Sequence, residues 1–295
     1  MMHPAKPPAF ALDATRVRQC FEAGAARLAG QDFLARESAS RMAERLPYIR
    51  HVPQRILDLG CGHGPDLSLL AQQYPQADCI GLDITLPLLQ RARPQTSIWQ
   101  RLLSRQAGPT LLCADASKLP LASASVDMVW SNLLLHWLPD PAPALRELQR
   151  VMRSGGLLMF ATLGPDTFSE LRQVLPGPHL HQFIDMHDLG DALVQAGFAE
   201  PVMDMQRLTL TYPDVDSLLR ELRAASAGNA RGDRPRGLGR RGDWQTARQS
   251  LETRRQPDGR LALSIELVFG HAWRAPPRET ADGRAIIHFQ PKAAR

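Results

Sequence analysis

The sequence predicts an α/β fold, an open and mostly parallel sheet with helices on both faces, on three observations. Short apolar runs alternate with amphipathic helical stretches between residues 55 and 162, which is the signature of successive βαβ units. One of these runs, residues 56–59, stops in three glycines at alternate positions, Gly60, Gly62 and Gly64. Glycine has no Cβ and takes φ > 0, so backbone N–H groups there can come close to a ligand. Pro65 and Asp66 then open a helix. Strand, glycine loop and helix together form the ligand-binding end of such a sheet.

Bulk properties narrow the class. A chain of 295 residues with 44% apolar content suits one large domain, or one domain with an insertion, around a real core. No apolar run approaches the roughly 18 residues of a membrane span. The first ten residues, MMHPAKPPAF, lack the apolar segment of a secretory signal. Cys20, Cys61, Cys79 and Cys113 are scattered without a C-x-x-C pair. Reduced thiols in a cytoplasmic protein are therefore expected, with neither a zinc site nor a disulfide framework. The net charge of +5 and pI near 9.4 fit an acidic partner or, equally, a solvated arginine-rich surface.

Asp13 can cap a first helix reaching residue 28, with Val17, Phe21, Ala25 and Leu28 on one face. A second helical pattern covers residues 31–46. Both precede the first strand and can cover a cleft mouth. Strands are expected at 55–59, 78–83, 110–114, 126–131 and 157–162, with helices at 65–73, 86–93 and 142–152 between them. A short helix is expected at 164–175, another at 187–196, a long strand with a bend at 200–212, a helix at 214–225 and a last strand at 261–269 that returns beside the previous one. Gly60–Gly64, Asp83, Asp115 and the stretch 131–136 all fall at carboxyl ends of strands, where ligands bind.

The glycine spacing is G-x-G-x-G rather than G-x-G-x-x-G. Asp58 precedes the loop, Asp83 ends the second strand and Asp115, followed by the small Ala116, ends the third. S-adenosylmethionine presents an ammonium, a ribose diol and an adenine, and each takes a carboxylate or carbonyl acceptor. The motifs DLGCGHG, Leu82-Asp83, CADA at residues 113–116 and VDMVWSNLLLHW at 126–137 resemble the class I S-adenosylmethionine-dependent methyltransferases. That resemblance implies a Rossmann-like, seven-stranded, mostly parallel sheet with an antiparallel last strand, an N-terminal helical lid and a helical/loop insertion before the last strand. It implies cofactor contacts from Asp58, Gly60, Gly62, Asp83, Asp115, Ala116 and Ser131. Cys61 and His63 read as loop filler.

FEAGAARL, QDFLARE, SNLLLHW, ATLGPDTFSELR, HQFIDMHDLGDALVQAGFAEPVMD and FGHAW together resemble the malonyl-[acyl-carrier protein] O-methyltransferases of biotin synthesis over nearly the whole chain. The implied reaction esterifies the free malonyl carboxyl on an acyl carrier protein. A carboxylate is already a nucleophile at neutral pH, so positioning and desolvation carry the catalysis and no general base is called for. Asn132 and His136, directly after the fourth strand, are the first candidates to position the acceptor; Arg172 and His181 are further ones. No metal is expected. The family often has a tyrosine where this chain has Leu28.

The implied organisation is N-terminal helices over the cleft at 1–50, a cofactor-binding core at 51–212 and 261–275, and an Arg-rich insertion at 213–260. Residues 220–260 hold eleven arginines against five acids. Arg236, Arg240 and Arg241 are candidates to dock the acidic carrier. Trp244 is the one aromatic there, so a single-strand nucleic-acid surface is not expected, nor is a membrane partner. Other readings of the same pattern are a hydroxylase or assembly factor acting on a respiratory-complex protein, a non-catalytic cofactor-binding protein, and a small-molecule or RNA methyltransferase.

Overall fold

The computed structural model describes residues 12–25, 32–93, 108–175, 177–224, 228–235 and 241–276. Leu28, most of the irregular stretch after residue 93, Arg236 and Arg240 lie outside them. A seven-stranded sheet runs in the order β3-β2-β1-β4-β5-β7-β6. Its strands are β1 (Arg55–Leu59), β2 (Asp78–Asp83), β3 (Thr110–Cys113), β4 (Val126–Asn132), β5 (Met152–Leu163), β6 (Phe198–Tyr212) and β7 (Leu261–Arg274). The first five pair in parallel, and β7 runs antiparallel to both β5 and β6. The expected sheet, with its last strand reversed, is the one present.

Each face of the sheet carries a core because strand residues alternate in direction. In β1, Leu57 and Leu59 join one cluster while Ile56 joins the other. The first cluster is closed by α5 (Pro141–Val151). Asp140 caps this helix by accepting from the Ala142 N–H at 2.9 Å, and Ala144, Leu145, Leu148 and Val151 are buried. The second is closed by α2 (Phe33–Ala43), through Ala39 and Met42. Helices α3 (Pro65–Gln73) and α4 (Leu86–Ala92) follow β1 and β2, and α7 (Met186–Gln195) precedes β6.

Three expectations need correction. The helix expected at 164–175 is reduced to α6 (Ser169–Arg172). Residues before it are strapped to β7: Gly164 N–H donates to Glu266 O at 2.9 Å, Asp166 N–H to Glu266 Oε2 at 2.7 Å, and Phe168 N–H to Ser264 O at 2.8 Å. Phe168 turns the chain at φ 61°. The fifth strand begins earlier than expected, at Met152. Val126 pairs with Met152 but Met128 with Leu157, so residues 153–156 bulge from the ladder. The bend in β6 is a bulge too, where Glu200 takes φ 50° before Pro201 and the register slips between Ala199 and Val202.

The insertion is partly built into the core. Helices α8 (Val215–Ala224) and α9 (Arg241–Glu252) bring Val215, Leu218 and Leu251 onto Tyr212, Leu261 and Leu263. The segment 228–235 meets the start of α1 (Ala14–Gly24). Asp13 N–H donates to Ala230 O at 2.7 Å, and Arg234 pairs with Asp13 at 3.1 Å. Asp13 also caps α1, accepting from Arg16 N–H at 3.1 Å.

One close approach is decisive for the sheet. A Cβ on Gly270 in β7 would lie 2.2 Å from Cζ of Phe160, a fully buried ring on the neighbouring β5. Gly270→Ala should therefore destabilise the chain by about 3 kcal/mol, at the upper end of overpacking costs. Urea unfolding measures it, and a change below about 0.5 kcal/mol would show that the ring moves freely.

Candidate active site

The carboxyl ends of β1 to β4 open on one cavity of about 500 Å³, within the size range of small-molecule sites. Asp58, Gly60, Gly62, Asp83, Asp115 and Ala116 all line it. Residues Gly60, Gly62 and Gly64 have φ of 81°, 54° and 82°, values that favour glycine. A Cβ on Gly62 would meet nothing within 4 Å, so this turn of backbone borders open space.

Asp83 fixes the loop. Its Oδ2 accepts from the Gly62 N–H at 2.9 Å and its Oδ1 from the Thr85 N–H at 2.8 Å. Burial raises its pKa, and those two N–H groups oppose the rise. Asp58 is 1% exposed, and its Oδ2 is buried without a hydrogen-bond partner. Burial holds its carboxyl well above the usual carboxylate range, and Asp66 and Asp83 push the same way. Asp115, at the exposed rim, accepts from Ser117 N–H at 2.8 Å and from its hydroxyl at 2.5 Å.

Ser131 is not brought into the site. It is fully buried in β4, outside the cavity wall. Asn132 does line the cavity, but its Nδ2 donates to Asp66 Oδ2 at 3.0 Å and to Ala35 O on α2 at 2.9 Å. Its amide thus ties the sheet to α2. His136 lies in the short 3₁₀ turn Leu135–Trp137 and is 8% exposed. Its Nδ1 is 3.2 Å from the Thr162 hydroxyl. Burial, then His181, drives its pKa down to about 3. His181 accepts the Ala230 N–H at Nε2, 2.9 Å away. Burial, then Arg231, brings its pKa to about 4. Both rings are neutral at pH 7, so neither is a cation for an acceptor carboxylate. Arg172 lines a separate, smaller cavity. Arg241 opens α9.

Several site residues escaped sequence reasoning. Asp66 reads as a helix opener, yet it is a buried acceptor for Trp130 Nε1 at 2.8 Å as well as for Asn132. Burial raises its pKa against those two bonds. Asp32, 7% exposed, takes Arg36 at 2.8 Å and lies 3.4 Å from His63 Nε2, which joins the glycine loop to the lid helix α2. The loop-filler reading thus understates His63. Burial pushes the Cys61 thiol far up, so it supplies no thiolate. Phe183, Trp137 and Tyr212 add an aromatic wall at the far end of the cavity.

Residues 57–160 match the family model described as a methyltransferase domain. Among curated proteins, the chain is 49% identical to the malonyl-[acyl-carrier protein] O-methyltransferase of Laribacter hongkongensis (strain HLHK9), over 97% of this chain and 98% of that protein. It is 47% identical to the protein of the same name from Gallionella capsiferriformans (strain ES-2), over 94% and 97%. The chain belongs to the malonyl-[acyl-carrier protein] O-methyltransferase family. Solved structures support the fold alone. The YcgJ protein from Bacillus subtilis aligns at TM-score 0.55 and 16% identity, over 80% of this chain and 98% of that one. A methyltransferase from the complex with the Haloferax volcanii Trm112 activator aligns at 0.55 and 20%, over 90% and 100%.

S-adenosylmethionine is the cosubstrate of this family, and the residues present fit it. The orphaned Asp58 oxygen matches an ammonium, the open Gly62 backbone a closely packed chain, and the remaining lone pairs of Asp83 a diol. Among the described residues no His/Cys/Asp/Glu cluster of metal-binding geometry occurs, and no helix is long and apolar enough to cross a membrane.

The raised carboxyls give a pH prediction. Folded Asp58, Asp66 and Asp83 hold protons above their unfolded range, so their contribution to stability is full at low pH and is lost as pH rises through the raised values. His136 and His181 act oppositely: stability falls as pH drops below about 6.5, toward the depressed values. A bound ammonium favours the carboxylate form and must expel a proton. Calorimetry of S-adenosylhomocysteine binding at about pH 5.5, in two buffers of different ionisation enthalpy, should show net proton release that disappears in Asp58→Asn. Proton uptake, or release unchanged in the variant, would contradict the assignment.

Proposed function

We propose that this chain methylates the free carboxyl of a malonyl group carried on acyl carrier protein, in the cytoplasm, giving the methyl ester that primes pimeloyl synthesis for biotin. The observation that carries the reading is near-full-length identity of 49% and 47% to proteins named for that reaction, on a chain whose cavity has the acidic donor end just described. When bound, S-adenosylmethionine supplies a sulfonium methyl, which a carboxylate oxygen takes as the carbon–sulfur bond breaks, the bonding pair returning to sulfur with no proton moved.

In this reading Asp58, Gly60 and Gly62 hold the methionine end, Asp83 the ribose, and Asp115 and Ala116 the adenine. Ser131, behind the wall, supports β4 instead of touching the ligand. Asn132 acts through position: its bonds to Asp66 and Ala35 set α2 across the cavity. His136 faces the acceptor as a neutral ring. With the Thr162 hydroxyl donating to Nδ1, the proton sits on Nε2, a donor that orients a carboxylate without quenching it. Within the N-terminal region, residues 12–25 and 32–50 form the lid, a role that Val17, Phe21 and Leu34 in the cavity wall support. Closing it removes water from the reacting pair.

The Arg-rich insertion is the proposed docking surface for the acidic carrier. Several of its arginines are already paired: Arg231 with Asp233, Arg248 with Asp216 and Arg255 with Glu252 within the insertion, and Arg234 with Asp13 before α1. Docking is assigned to Arg236, Arg240 and Arg241 on the excess of arginine in this part of the sequence.

Labelled methyl transfer tests the reaction. With malonyl-loaded carrier, label should enter a product that mild base releases. Glutamate at Arg236, Arg240 and Arg241 together should raise the KM for the carrier substrate about tenfold, more at low salt. Cofactor binding without label transfer to the malonyl carrier would overturn the reading; a base-stable product would point to a different acceptor atom.

A further inference from the structure

Beside the main cavity lies a smaller one of about 180 Å³, lined by Arg172, Leu175, Gly177, Leu180, Gln182 and Arg231. Its two guanidinium groups come from distant parts of the chain, α6 and the insertion. They are not equivalent. Arg231 is 4% exposed, donates to both oxygens of Asp233 at 2.8 and 2.7 Å, and reaches Leu180 O at 3.3 Å. Its charge is answered. Arg172 donates from Nε to Thr167 O at 3.3 Å and lies 5.5 Å from the Phe183 ring centre. Among the described residues no carboxylate pairs with it, and its Nη2 is buried without an acceptor.

A buried guanidinium N–H with no acceptor is costly unless a ligand or water meets it. Burial, and then the nearby Arg231, lower the pKa of Arg172, the electrostatic state that an anion would relieve. His181, the other titratable neighbour, is neutral above about pH 4. The cavity therefore borders one uncompensated positive charge, whose Nη2 has no acceptor. That suits an oxyanion, which answers the charge and accepts N–H bonds.

Its place identifies the oxyanion further. Leu180 lines both cavities, and Phe183, beside the Arg172 guanidinium, lines the main one. The small cavity thus adjoins the acceptor end without sharing the wall of Asn132 and His136, where the reading above puts the reacting carboxylate. Arg172 is better placed for a second anionic group on the same substrate. An acyl carrier presents its acyl group as a thioester at the end of an arm attached through a phosphodiester.

We propose that Arg172, with Arg231 beside it, binds a phosphate-type oxyanion, and that in turnover this is the phosphodiester of the carrier's arm. The second half rests on the carrier-substrate reading above; the first does not.

The test uses the full chain, Arg172→Gln and Arg172→Lys, each checked for an unchanged urea midpoint and S-adenosylhomocysteine affinity. Inorganic phosphate should bind the wild type in calorimetry and bind Arg172→Gln at least about tenfold more weakly, with Arg172→Lys, which keeps the charge but not the fork, in between. The KM for malonyl-4′-phosphopantetheine should be about tenfold below that for malonyl-pantetheine in the wild type, and the ratio should approach one in Arg172→Gln. Phosphate binding lost in the variant without discrimination between the two thioesters supports the oxyanion site, filled by free phosphate, and overturns its assignment to the arm. Phosphate binding lost while neither thioester is methylated supports the site and counts against the carrier reading. Equal phosphate affinity in wild type and Arg172→Gln, with an unchanged thioester ratio, overturns the proposal.

Discussion

The carboxylate of Asp83, accepting from Gly62 at one oxygen and Thr85 at the other, is the constraint on which the site depends. It joins the end of β2 to the glycine loop after β1. Two further bonds, from Gly60 and Cys61 N–H groups to Leu82 O, hold the same seam. Hydrogen bonds to a charged group contribute about 1.5–3 kcal/mol each. That is enough to keep three successive turns of positive φ in one arrangement. Because the loop is fixed, Asp58 is left behind it with a buried oxygen that no group of the protein meets. In the proposed binding mode a cationic ligand supplies what the fold withholds.

A second layer sets the lid. Asp66 sits in the first turn of α3, where a carboxylate favours the helix dipole, and collects Trp130 and Asn132 from β4. Asn132 passes the connection to Ala35, and His63 passes another to Asp32. Loop, central strand and α2 are therefore one network. A change in the glycine loop reaches the acceptor end through polar bonds between buried groups, which tolerate little slack. The same network explains why Asn132 looks catalytic in sequence while its amide is engaged in tying β4 to α2 and α3.

Local chemistry made much of this legible. β2 is readable to the residue because its apolar run is short and ends in an acid, and α5 to within one residue at each end because Leu145, Leu148 and Val151 recur on one face. Asp58, Asp83 and Asp115 come together on one cavity because acids at successive strand ends share an edge of the sheet, a pattern that sequence order preserves. What escaped depends on partners far along the chain. Asp66 meets Trp130 across 64 positions, and a helix-opening acid gives no sign of that. The strap of residues 164–168 onto Glu266 replaces a helix that local propensity favours, because the side chain and backbone of Glu266 offer acceptors that the isolated segment lacks. Ser131 lies behind the cavity wall because strand alternation turns it into the protein and gives the cavity to Asn132.

In the proposed reading the acceptor side rests on neutral donors and apolar walls instead of a base. This suits a carboxylate nucleophile and leaves Arg172, whose Nη2 has no acceptor, for another part of the substrate. Where the cofactor lies along the loop decides the proposed roles of Asp58, Asp83, Asp115 and His136. A crystal structure of the chain with S-adenosylhomocysteine measures that directly. The ribose hydroxyls should lie within about 3.2 Å of Asp83, the adenine beside Asp115 and Ala116, and the ammonium toward Asp58, with the sulfur facing His136. A ribose away from Asp83, or an adenine at the His136 end, would contradict it.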